Sequence, residues 1–64
     1  MKTIIFRKIT DIICNVAHKY NMLPNHIEVR IKLDEVSTYK KDPKGGWILI
    51  NNEGSVIEFL EKFF

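Results

Sequence analysis

The chain has a single cysteine, Cys14, in 64 residues. No intrachain disulfide can staple the fold, so the usual device of small secreted domains is missing and a reducing cytoplasm is the expected home. Long hydrophobic runs are missing as well. The longest, Trp47 to Ile50, falls far short of the roughly 20 residues that span a bilayer. Ile4-Ile5-Phe6 stops at Arg7 and Lys8, whereas an export signal needs an apolar run of about 7 to 15 residues. Neither a membrane partner nor an export signal is expected. Alanine occurs once and arginine twice, against ten isoleucines, eight lysines and five asparagines. That bias follows A- and T-rich codons and suggests a low-GC bacterium or its phage. Strong charge of either sign is also lacking: the formal net charge is +2, too little by itself to imply nucleic acid.

What is present suits an ordinary globular chain, with 45% hydrophobic and 28% charged residues. At this length a single domain over residues 1–64 is expected, with a core so small that a partner or a second copy would add to its stability.

Between Thr3 and Asn21, the residues Ile5, Ile9, Ile12, Ile13, Val16 and Tyr20 recur at intervals of three and four, which predicts one amphipathic helix. Asn21 can take the left-handed conformation that ends a helix, and Pro24 follows. The period then changes to two. Ile27, Val29, Ile31 and Leu33 alternate with His26, Glu28, Arg30 and Lys32, the pattern of a strand with one buried face. The alternation slips at Asp34-Glu35, leaving Val36 to Lys40 as a candidate short strand. Lys41-Asp42-Pro43-Lys44-Gly45-Gly46 predicts a hairpin turn into the strand Trp47 to Ile50. Ser55-Val56-Ile57-Glu58 fits a capping box and predicts a last helix to the chain end, the competing reading being a turn at Asn51 to Gly54 and a strand from Ser55 to Leu60.

The expected architecture is α+β: helix, two or three antiparallel strands, helix, with both helices on one face of the sheet. This order resembles the double-stranded RNA-binding domain in topology and approximate length. That family carries a lysine cluster at the start of its last helix. Here the position reads Ser55-Val56-Ile57-Glu58, which is acidic, and no residue role is carried over.

No catalytic or metal site is expected, and no cofactor. Cys14 and His18 lie four apart on the first predicted helix, near Asp11 and Arg7, but a structural zinc needs four ligands and a catalytic one usually three. As a thiol with a histidine base, the pair would sit on a flat helix surface without a pocket or oxyanion donors. Gly45-Gly46 precedes a strand and not a helix, so it is no phosphate loop.

Two binding readings remain. Tyr39, Lys40, Lys41, Lys44 and Trp47 interleave rings and cations around the hairpin, and Arg30 and Lys32 extend them along the first strand, the recipe for nucleic-acid contact. Alternatively, if Ile48 and Ile50 point inward, Trp47, Leu49 and Tyr39 form an apolar patch on the open sheet face rimmed by Glu28, Arg30 and Lys32. That is the makeup of a protein contact. Phe63 and Phe64 are candidates for core or homodimer contact. The favoured expectation is a small non-enzymatic protein-binding module, a regulator or inhibitor of phage or mobile-element type, with nucleic-acid binding as the alternative.

Overall fold

The computed structural model of the chain describes residues 2–64. It contains two helices and four antiparallel strands: β1 (Thr3–Arg7), α1 (Asp11–Lys19), β2 (Ile27–Lys32), β3 (Glu35–Lys41), β4 (Trp47–Gly54) and α2 (Val56–Phe63), in the sheet order β1-β2-β3-β4. The α+β class holds, but the strands number four instead of two or three. The single helix expected from Thr3 to Asn21 is divided into a strand and a shorter helix. Residues 3–7 are rich in β-branched side chains and pair in register with β2, Thr3 opposite Lys32 and Arg7 opposite Glu28. Lys8 then takes a φ of 62°, and Thr10 starts α1 by accepting the Ile13 N–H on its hydroxyl at 3.2 Å. Ile9, placed by periodicity in the apolar stripe, is 89% exposed in the connection. With a strand ahead of the first helix, the order also departs from that of the double-stranded RNA-binding domain.

The end of α1 follows its local signals. Asn21 is left-handed (φ 60°), its N–H donates to the His18 carbonyl, and the Met22 N–H donates to the Ala17 carbonyl at 2.8 Å, closing the orphan carbonyls of the last turn. The hairpin between β3 and β4 turns at Asp42, which accepts from the Gly45 N–H on its carbonyl and from the Lys44 N–H on its carboxylate, with Gly45 and Gly46 both at positive φ. The capping box of α2 is complete: the Ser55 hydroxyl accepts from the Glu58 N–H, and the Glu58 carboxylate accepts from the Ser55 N–H, each at 3.2 Å. A helix therefore occupies residues that the competing reading gave to a strand.

One buried cluster forms the core: Ile13, Val16 and Ala17 of α1, Ile27 and Val29 of β2, Val36 of β3 and Phe59 of α2. The strand register sends Phe6, Val29, Thr38 and Ile31 to this side, and Arg7, Glu28, Arg30 and Tyr39 to the other. Strand β4 keeps its pairing with β3 only by admitting two extra residues, Ile50 between the partners of Thr38 and Tyr39, and Glu53 between those of Val36 and Ser37. The first bulge, at Ile50, resets the alternation so that Glu53 points inward, where its carboxylate is buried and accepts from Tyr20 (2.5 Å), Thr38 (2.8 Å), Asn51 (3.1 Å) and Lys62 (3.3 Å).

Gly54 has a φ of 86°, and a Cβ there would stand 3.0 Å from the Glu58 carboxylate that caps α2. Gly54→Ala therefore combines left-handed strain with displacement of the cap. It should cost at least about 1–2 kcal/mol in denaturant unfolding; parental stability would refute the account. A second outcome concerns pH. Burial and the Glu53 carboxylate raise the Tyr20 phenol above its ordinary value, with Asn51 opposing. The folded chain holds this proton more tightly than the unfolded one, so the stabilisation is complete below about pH 10 and is lost as pH rises through the folded-state value. Tyr20→Phe should flatten the alkaline loss of stability, which denaturant midpoints taken across that range would register; a limb of unchanged slope would contradict the assignment.

Candidate binding face

The face opposite the core carries Thr3, Ile5 and Arg7 from β1, Glu28, Arg30 and Lys32 from β2, Glu35, Ser37, Tyr39 and Lys41 from β3, and Trp47, Leu49 and Asn52 from β4, as the register dictates. Of the residues singled out from sequence, this face gathers Arg30, Lys32, Tyr39, Lys41, Trp47 and Leu49. Lys40 and Lys44 lie apart from them. Lys40 pairs with Ile27 and Ile48 and so belongs to the core side, while Lys44 sits in the hairpin turn. The expected Lys40-Lys41-Lys44 cluster is thus divided among two faces and a loop tip.

Glu28 is the unexpected member. As a charged residue on the polar parity of β2 it read as rim, yet its side chain is fully buried, although it lies on the face away from the core. What buries it is a layer of side chains laid over the sheet. The Nε of Arg7 donates to one carboxylate oxygen and the Nε of Arg30 to the other. Each guanidinium lies in turn near a ring. Arg7 is 5.6 Å from the centroid of Trp47, and Arg30 is 4.2 Å from that of Tyr39. Arg7 and Trp47 stand on the two opposite edge strands, so their contact spans the width of the sheet. Arg7 was absent from the sequence reading of this site because residues 3–7 were assigned to a helix.

Around this centre the face is apolar and exposed at Ile5 (44%) and Leu49 (53%). Its cations, Arg7, Arg30, Lys32 and Lys41, outnumber its carboxylates, Glu28 and Glu35, and Glu35 is also engaged as acceptor of the Asn52 amide at 3.1 Å. The chemistry available is recognition: hydrogen-bond donors held in place, rings, and aliphatic flanks.

Elsewhere, Cys14 and His18 are both exposed on α1. Among the described residues no three His, Cys, Asp or Glu side chains are grouped to hold a metal ion. Among the same residues no helix is long and apolar enough to cross a membrane.

No protein-family pattern matches the chain, and neither a curated protein nor a solved structure is significantly similar to it.

The two buried carboxylates make a decisive pair. Glu53 is acceptor for the fully buried Thr38 hydroxyl, so Glu53→Leu orphans a donor that water cannot reach and should cost about 2–4 kcal/mol. The partners of Glu28 are 52% and 33% exposed at their side chains and can turn to water when it is replaced. Glu28→Leu should therefore change unfolding stability by less than about 1 kcal/mol, because a hydrophobic residue in place of a desolvated ion pair is often neutral. Equal losses at the two sites would show Glu28 to be a structural anchor.

Proposed function

We propose that the chain is a non-enzymatic binding module that engages a protein through the sheet face opposite its core. One observation carries this reading: two arginines, two aromatic rings and two exposed aliphatic side chains share that face, with the arginines already fixed. Arginine and aromatic residues concentrate in interface centres because each offers a large contact area with a polar edge. The same groups support nucleic-acid binding less well. The rings of Tyr39 and Trp47 have guanidinium groups beside them, and the lysines that would track phosphates point in different directions.

On this reading the chain acts by occupying a surface, as a small regulator or inhibitor does; phage or mobile-element origin fits its composition. One exposed thiol and no disulfide suit the reducing cytoplasm. The exposed apolar side chains Ile57 and Leu60 of α2, with Phe64 just beyond it, offer a second surface on which a homodimer could form.

The test is affinity capture from a nuclease-treated lysate of a low-GC bacterium, comparing the parent chain, a Trp47→Ala/Leu49→Ala variant and an Ile57→Ala/Leu60→Ala variant. The expected outcome is a stoichiometric protein retained by the parent and by the α2 variant but lost from the sheet variant, with all three folded by circular dichroism. Retention that ignores the sheet substitutions, or capture of nucleic acid alone, would overturn the reading.

A further inference from the structure

We infer that Arg7 and Arg30 form a two-pronged clamp for a carboxylate side chain of a protein partner, with Glu28 as the residue that sets the prongs. This rests on the reading of the open face as a protein-binding surface and names the chemistry it selects. The geometry is specific. Arg7 stands directly across from Glu28 on the neighbouring strand, and Arg30 follows Glu28 by two residues on the same strand and face. Their Nε atoms take opposite oxygens of one carboxylate, so two guanidinium groups flank a single buried anion. The hydrogen bonds each group makes run through Nε, which leaves the Nη edges as donors. Trp47 and Tyr39 prop the two planes, and both side chains retain access to solvent.

A free arginine gives up much of its rotamer freedom when it binds; these two have given up part of it already. The exposed flanks Ile5 and Leu49 would shed water against a docked protein, and a charge-assisted pair gains strength as water leaves. Charge counting favours a carboxylate over a run of phosphates. Two guanidinium groups less one glutamate leave a single positive charge, which one carboxylate neutralises. Glu28 at the centre opposes denser negative charge, and Lys40 and Lys44, which a nucleic-acid backbone would need nearby, are directed elsewhere.

An array of random peptides probed with the intact chain tests the clamp. Bound peptides should carry Asp or Glu beside aliphatic or aromatic residues. Their affinity should fall about tenfold in Arg7→Lys and Arg30→Lys, which keep the charge but lose the fork. Glu28→Gln keeps the size of the side chain and should weaken the same peptides, while the salt dependence common to any cation remains. A single-stranded oligonucleotide should leave the arginine Nε–H resonances of the chain unmoved. The clamp is overturned if no bound peptide carries a carboxylate, including an array that binds nothing, if the lysine variants bind as the parent does, or if the oligonucleotide moves those resonances instead. Peptide binding lost in Trp47→Ala/Leu49→Ala yet unchanged in the lysine variants would reject the clamp and keep the face; binding indifferent to both would reject both.

Discussion

A carboxylate taken out of water must be met by donors, and the arrangement of this chain turns on how Glu53 is met. Its four donors come from the end of α1 (Tyr20), from β3 (Thr38), from β4 itself (Asn51) and from α2 (Lys62). One charge thus ties both helices to the β3–β4 hairpin. The apolar core alone is thin for this purpose: seven buried hydrophobic side chains among the described residues, of which Phe59 is the one from α2. Phe59 and Phe63 pack at 5.0 Å between ring centroids, and Tyr20 meets Phe63 at 6.1 Å, so the ring that carries the Glu53 hydrogen bond also packs against α2. Polar and apolar contacts reinforce one another at this junction, and the bulge in β4 is what makes it possible. Without the extra residue at Ile50, alternation from Leu49 would send Glu53 to the opposite face.

The second buried carboxylate obeys the same rule with a different consequence. Glu28 is satisfied by groups that solvent can still reach, on a face where no hydrophobic layer covers the sheet. Burying it should do little for the fold, because the two arginines stay accessible and could be hydrated if it were replaced. What burial does accomplish is order. Two long side chains that would otherwise sample many rotamers are joined through one carboxylate and held near two rings. Glu53 buys cohesion between layers, whereas Glu28 fixes the positions of donors on a surface.

Much of the fold was legible wherever its signal is local. Ser55 and Glu58 are three residues apart and reciprocate, so the start of α2 follows from four letters of sequence. Asn21 with Pro24, and Asp42-Pro43 with Gly45-Gly46, mark their turns by intrinsic backbone preference in the same way. The alternation of β2 from Ile27 to Ile31 and the inward parity of Ile48 and Ile50 belong to this class too, which is why Trp47 and Leu49 could be placed beside Tyr39; Leu33, expected on the buried face, is 73% exposed in the turn. The first strand was not legible. Ile5 and Ile9 happen to fall at helical spacing with Ile12, Ile13 and Val16, and the break between them lies at Lys8, which adopts a φ of 62° without being glycine. Leu33 does the same at 56° in the β2–β3 turn. Neither residue type announces a left-handed conformation: Lys8 takes it in the β1–α1 connection and Leu33 where the β2–β3 pairing closes the turn. Burial of Glu28 and Glu53 was hidden for a related reason, since each depends in part on a distant donor, Arg7 at 21 residues and Tyr20 at 33.

That missing strand is also what completes the candidate site, and its place in the sheet decides how rigid the site can be. Glu28 sits between Ile27 and Val29, both fully buried on the other side of β2. Any shift of β2 that moved the carboxylate would pull those two side chains from the core, so the anchor of both guanidinium groups is as fixed as the core itself. Arg30 shares that strand. Arg7 and Trp47 come instead from the edge strands, each paired on one side only. Their contact across the face therefore joins the two edge strands over the two interior ones, each of which is paired on both sides. A ligand that gripped both arginines would draw β1 against β2 at the row where Arg7 meets Glu28, and through Trp47 it would register on β4, so the proposed binding would be coupled to cohesion of the sheet edges.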